Sequence, residues 1–264
     1  ALYRQKYLKK PDQQDIVCIA ELHRKVHGVP GMFGSLDCMH TQWKNCPMGW
    51  QGSFKGRAGY PSIVLEAACD YNCYFWHLDY GHAGTNNDVN ILQASDFYQS
   101  FLDGRMEELE RAVVPYSINN EEFTKMFVLT DGAYPQFDRF VKPQKFALLP
   151  EEKKFKDWQS ASRKDIERAF GILQGQWQAV ARPILLHNVK EIVVLVKCCL
   201  CLHNMCVSDR VMNGDIHSLY DPTNVVLSRD VGAQAVDTRP GTAIGLSATR
   251  TANPIVYEAI TQKE

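Results

Sequence analysis

Apolar and polar positions along this chain follow two periods, and the switches between them mark out its elements. Residues 1–30 are charged with scattered apolar positions and read as a helical lead-in that stops at Gly28-Val29-Pro30. Phe33 to Met39 is a short apolar run with one acid, Asp37, inside it. A loop rich in Gly, Trp and Lys follows to Pro61. Ser62 to Cys69 and Cys73 to Tyr80 read as two strands joined by an Asp70-Tyr71-Asn72 turn. Val89, Leu92 and Phe97 stand at roughly helical spacing and predict a helix from about Thr85. Residues 103–124 are polar, an excursion from the core. Met126 to Thr130 (MFVLT) is a buried-strand pattern that stops at Asp131-Gly132. Two helices follow, over 162–179 and 189–207. In the first, Ile166, Phe170, Leu173 and Trp177 form the apolar stripe. The second is apolar nearly all round, which suits a buried helix whose His203 and Asn204 need hydrogen-bond partners.

Strands first, then a helix, a lone buried strand and more helices predict a mixed α/β sheet flanked by helices. The dense part is 31–207, with 1–30 as lead-in and 208–264 as a tail; residues 231–252 are small and polar without periodicity and read as disordered.

Composition narrows the function classes. With 29 Lys+Arg against 30 Asp+Glu the net charge is −1, which excludes a histone-like basic protein but leaves room for a local basic groove. No run of 18 uncharged apolar residues exists, so no membrane span is expected. The chain opens on Ala1 without a signal-peptide pattern, so the natural chain is expected to begin upstream. Nine cysteines, several inside apolar runs, fit reduced core thiols better than a disulfide framework. Cys198, Cys201, His203 and Cys206 have one ligand-like spacing but lie in an apolar helical run, and zinc is not expected there.

Acids carry the candidate chemistry. Asp37 and Asp131 both end their apolar runs, and in α/β sheets sites form beyond the carboxyl ends of neighbouring strands. Carboxylates held together repel unless a cation neutralises them, and Mg²⁺ takes a few carboxylates plus water and phosphate oxygens. Glu167, beside the helical stripe, would supply a third ligand. Each acid has a plainer role as well. Asp131 before Gly132 suits a turn, Glu167 pairs with Arg163 one turn earlier, and Thr85-Asn86-Asn87-Asp88 matches a capping box.

The blocks GMFGSLDCMHTQWKNCPMGWQG, SIVLEAACDYNCYFWHLDYGHAGTNNDVNIL, VLTDGAYP, SRKDIERAFGILQGQW and LCLHNMC, in this order over about residues 31–207, resemble the PIF/Harbinger-type transposases. That family belongs to the DDE transposases. The resemblance implies an RNase H-like five-stranded sheet of order 3-2-1-4-5, with the Asp37 and Asp131 strands as parallel neighbours. It implies Asp37, Asp131 and Glu167 as catalytic, metal-holding residues, with Asp88 either a further ligand or the structural cap. The 35 residues 132–166 give the spacing such triads commonly show. Arg163-x3-Glu167-x6-Gln174 also resembles the Arg/Glu/Lys signature of bacterial insertion-sequence transposases, with Gln174 where those carry Lys.

The implied chemistry is phosphodiester hydrolysis and strand transfer on DNA with two Mg²⁺ or Mn²⁺ ions. Lys44, Lys55 and Arg57, interleaved with Trp43, Trp50 and Phe54, are candidate DNA contacts, as are Arg163, Lys164 and Gln174. Lys142, Lys145, Lys153, Lys154 and Lys156 are either a second DNA wall or a solvated face, and His40 is expected near the metals without a proton-transfer role. By the same resemblance the DNA would be transposon ends and target, and the protein a nuclear homo-oligomer. The resemblance also implies a separate Myb-like DNA-binding partner, and with about 30 residues before the first block, too few for the family's helix-turn-helix region, terminal-repeat recognition is expected to lie outside this chain. A domesticated nuclease without transposition and a silent DNA- or chromatin-binding protein remain the alternatives, the intact triad disfavouring the second.

Overall fold

The computed structural model describes residues 2–118 and 120–214, and the short paired fragments Ile244–Gly245 and Gln262–Lys263. The expected disorder within 231–252 falls outside the described residues, apart from one of those fragments.

The lead-in forms α1 (Leu2–Tyr7) and α2 (Gln13–His27). Asp12 and Asp15 cap α2 reciprocally, and Gly28 ends it in the left-handed region at φ 73°. The central strand β1 (Met32–Gln42) follows, then α3 (Met48–Phe54), β2 (Ser62–Cys69) and β3 (Phe75–Ala83). Three short helices come next: α4 (Asp88–Ala94), α5 (Asp96–Leu102) and α6 (Arg105–Glu110). The polar excursion is thus partly helical, and it also holds a small hairpin of β4 (Tyr116–Ile118) and β5 (Glu121–Phe123). Then come β6 (Phe127–Leu129), β7 (Phe140–Val141), α7 (Pro150–Gln176), α8 (Gln178–Ala181) and α9 (Val189–Asn213).

The main sheet has five strands in the order β3-β2-β1-β6-β7. The expected order 3-2-1-4-5 needs correction in its count, because β4 and β5 pair with each other outside the sheet and push the last two strands to sixth and seventh. β1 is antiparallel to β2 and parallel to β6, and β6 is parallel to β7.

Asp37 is not at the end of its strand. β1 runs on to Gln42 because β2 pairs with it from Ser35↔Cys69 to Gln42↔Ser62. The parallel ladder to β6 stops earlier, at Ser35↔Leu129. Asp37 therefore lies just past the point where β1 and β6 part, and Asp131 leaves β6 on the other side of that gap.

Each face of the sheet has its own core. Met39 and Trp43 on one face of β1 pack with Ile166, Leu173 and Leu200 from α7 and α9, while Leu36 on the other packs with Ile16, Ile19 and Leu92 from α2 and α4. The helix carrying Glu167 starts at Pro150, well before the expected residue 162. The cysteine-rich helix continues past Val207 to Asn213. It has the length and apolarity of a membrane-crossing segment, yet its buried side chains pack on the core. Asn204 donates to Phe75 O (2.9 Å) and Tyr7 O (2.8 Å) and accepts from Phe75 N (2.9 Å), and His203 Nε2 bonds Cys73 O at 2.9 Å. The two polar residues of the helix thus find backbone partners on and beside β3.

A candidate acidic site at the parting of β1 and β6

Asp37 projects from β1 toward α7, and the two elements meet through one arginine. Arg163 Nη1 donates to Asp37 Oδ2 at 2.8 Å, and its Nη2 donates to Glu167 Oε1 at 2.5 Å. Arg163 and Asp37 are largely buried and Glu167 is half exposed. One guanidinium therefore spans two acids that are 130 residues apart in the chain, a fork geometry that lysine lacks. Asp37 also accepts from Cys38 N at 2.8 Å. Its carboxyl is nevertheless pushed up to about 6, chiefly by burial, with the charges of Asp131 and Asp88 adding to the rise and Arg163 opposing it.

Asp131 accepts from Ala133 N at 2.8 Å, so its turn role and its place at the crevice coexist. Asp88 corrects the capping-box expectation. The cap of α4 is Asn87, whose Oδ1 accepts from Asn90 N at 2.7 Å, while Thr85 Oγ1 instead donates to Ser53 O at 2.6 Å. Asp88 becomes the first helical residue, and its carboxyl is raised by burial, eased by a hydrogen bond from Cys38 and raised again by Asp131. It belongs with the acids of the crevice.

The carboxylate oxygens of Asp37, Asp131 and Glu167 do not all fall within 4.8 Å of one another. Among the described residues, the His, Cys, Asp and Glu groups whose ligand atoms all fall within 4.8 Å of one another comprise a single set, His23, His27 and Asp165. The atoms of that set are already hydrogen-bonded. Tyr71 N donates to His23 Nε2 at 3.1 Å, which leaves His23 Nδ1 to donate to Met32 O at 3.0 Å. His27 Nε2 meets Asp165 Oδ2 at 2.8 Å, and Arg168 Nη2 holds the other Asp165 oxygen at 2.8 Å. Burial drives the His23 ring down to about 3, so it stays neutral and able to accept. This set straps α2 to α7 beside Glu167.

Two neighbours escaped the sequence reading. Glu66, fully buried at mid-β2, stands opposite Cys38 in the ladder, and its Oε2 meets His77 Nε2 at 2.9 Å. The signal was available, since an acid inside SIVLEAAC interrupts an apolar run as Asp37 does. Tyr134, buried after Asp131, has its hydroxyl 3.5 Å from Cys38 Sγ. His40 bonds Ser62 Oγ at 3.0 Å and its charge favours ionised Asp88, which places it at the edge of the acid group.

Of the candidate DNA contacts, Lys44, Lys55, Arg57 and Lys164 are exposed, and Gln174 is half-buried on α7. Lys142 donates to Tyr134 O at 2.6 Å and so braces the loop after Asp131. Lys153, Lys154 and Lys156 are exposed on the first turns of α7.

A mixed sheet with helices on both faces and a crevice of acids where two parallel strands part defines an α/β protein with a candidate polar active site. The family model described as plant transposon protein matches residues 5–213, and the chain belongs to that family. It is 21% identical over 196 residues to the Bos taurus protein named "Putative nuclease HARBI1" and 20% identical over 196 residues to the Homo sapiens protein of the same name. Each alignment covers 74% of this chain and 51% of the relative, so the chain spans about half the length of these relatives. No solved structure matches it.

Proposed function

We propose that this chain is the catalytic domain of a DDE-type transposase or transposase-derived nuclease, with an RNase H-like fold, that cuts DNA phosphodiesters using two Mg²⁺ or Mn²⁺ ions. The observation that carries the reading is the acid group at the parting strands: Asp37 raised to about 6 by burial and by Asp131 and Asp88, with Arg163 bridging it to Glu167. The family membership and the nuclease-named relatives support it.

The donor set fits the ions. Carboxylate oxygens are what hard divalent cations bind, and a buried, under-neutralised carboxyl gains from a nearby cation. Asp37, Asp131 and Glu167 would hold the pair, with Asp88 as a further ligand. When bound, the ions make water or a DNA 3′-hydroxyl more acidic and steady the leaving oxygen. The chain's own residues do the rest. Arg163 holds Asp37 and Glu167 in place and offsets part of their charge. Lys142 fixes the Asp131 loop, while Lys44, Lys55, Arg57, Lys164 and Gln174 would grip the backbone of the strand.

Strand transfer is the finer half of this reading, with transposon ends and target as the DNA, a homo-oligomer as the assembly, a Myb-like partner for sequence recognition and the nucleus as the compartment. The test is Mg²⁺- or Mn²⁺-dependent cleavage of terminal-repeat DNA. Asp37→Asn, Asp131→Asn and Glu167→Gln should each abolish it with the urea midpoint little changed. Cleavage that survives all three substitutions would remove the triad, and products without free 3′-hydroxyls would remove strand transfer.

A further inference from the structure

Beyond Asp37 the same strand leads to an aromatic pocket that the cutting chemistry leaves unused. No Asp or Glu occurs between Asp37 and Glu66, nor between Glu167 and Glu191. The fold joins these two acid-free segments. Ile184 N donates to Gln42 O (2.8 Å), Lys44 N to Ile184 O (3.0 Å), Trp43 Nε1 to Leu186 O (2.7 Å) and Asn45 Nδ2 to Leu185 O (2.7 Å). On this wall buried Trp43 supports two further rings, Phe54 with its centroid 4.9 Å away and Trp50 at 6.1 Å. Trp50 and Phe54 lie nearly parallel, 14° apart, and Trp50 is half exposed. They border an open cavity of about 450 Å³ completed by Ser53, Asn188, Val189 and Lys190. The loop is held firmly. A side chain at Gly56 would meet Gly84 O at 1.9 Å, so the segment after α3 lies directly against the turn that leads to Asp88.

We propose that this cavity is a subsite for an unpaired base of the DNA strand, stacked on Trp50 and Phe54 with its flanking phosphates against Lys190, Lys44 and Lys55; it rests on the DNA-cutting reading above. Flat exposed aromatics beside cations and away from acids suit a π-face attached to a phosphate chain better than an aliphatic or acidic partner. Trp43 stands six positions after Asp37, just past the end of β1, about 20 Å at the usual strand rise. The stacked base therefore lies roughly six nucleotides from the scissile phosphate along B-form DNA, and fewer if the strand is stretched.

The probe is a short duplex with a 3′ overhang carrying one 2-aminopurine, bound to the full chain with Ca²⁺ in place of Mg²⁺. Binding should quench the 2-aminopurine, and the overhang should bind about tenfold tighter than the blunt duplex. Trp50→Ala should remove both effects, Trp50→Phe should keep most of them, and Lys190→Gln should weaken both DNAs alike. An abasic nucleotide at the probe position, tested on the unaltered protein, should cost the same tenfold and needs no variant to fold. An unchanged overhang preference in Trp50→Ala, or no loss with the abasic strand, overturns the subsite. So does a dimer that Trp50→Ala dissolves, since a second copy would then cover the rings. Cleavage in Mg²⁺ is scored separately: stacking without cleavage defeats the nuclease reading and leaves the subsite, and cleavage without stacking does the reverse.

Discussion

A buried carboxylate with other carboxylates nearby ionises reluctantly, and Asp37 and Asp88 are both raised, first by burial and then by the acids around them. Asn87, one position before Asp88, does the capping. Asn87→Ala should cost about 1 kcal/mol in urea unfolding. Asp88→Asn should stay within about 0.5 kcal/mol, because the loss of first-turn charge is offset by relief of repulsion, and should instead lower metal-dependent cleavage. A large stability loss in Asp88→Asn with cleavage intact would restore the capping role. At this scale much was legible. Asp37 stood out because an acid inside an apolar run has to be explained, and Glu167 because it flanks a stripe. The bond from Arg163 to Asp37 was not legible, since it joins residues 126 positions apart. The true cap was hidden because Thr85 and Asn87 are both good caps, and the choice fell to Ser53 O, which takes the Thr85 hydroxyl.

The elements are joined by side chains that finish backbone hydrogen bonding. Asn204 of α9 serves Phe75 on both its N–H and its C=O and also reaches Tyr7 O. Asn204→Ala would leave these groups buried and unpaired, so a loss of about 2–4 kcal/mol is expected, with amide exchange rising first at Phe75. Gln159 of α7 does similar work, donating to Thr130 O at 2.8 Å and Val141 O at 2.9 Å where β6 and β7 end. That residue also explains why the start of α7 was missed. Phe155, Gln159, Ser162 and Ile166 form its buried stripe, and two of the four are polar, so hydrophobic spacing alone begins the helix too late. β7 has two residues and β4 and β5 three each, too few for any period to register.

At the scale of the molecule, buried groups set the response to acid. His23 is driven down to about 3 and His203 to about 4, both by burial, so the folded state binds their protons more weakly than the unfolded chain. Their contribution is complete above about pH 6.5 and is lost as pH falls toward 4 and then 3, on the order of 3 kcal/mol for His203. Asp70 and Asp37, each raised to about 6, act in the opposite sense, adding stability as pH falls from 6 to 3.8. Unfolding followed from pH 7 to 4 should show a net loss that begins near 6.5. His203→Gln, which keeps a donor for Cys73 O, should be less stable at pH 7 yet change less with pH. An equal slope in that variant would show that His203 is not the titrating group.

The strap formed by His23, His27, Asp165 and Arg168 reaches further than its place in the fold suggests. Asp165 sits two residues from both Arg163 and Glu167, so the register of α7 against β1 depends on helix α2, which carries none of the crevice acids. For a gene that drifts, this enlarges the target for inactivation. On the nuclease reading, a sequence could keep every acid of the crevice and still lose cleavage through one change at His23 or His27. Related sequences should therefore vary at these positions together with Asp165 and Tyr71, or not at all.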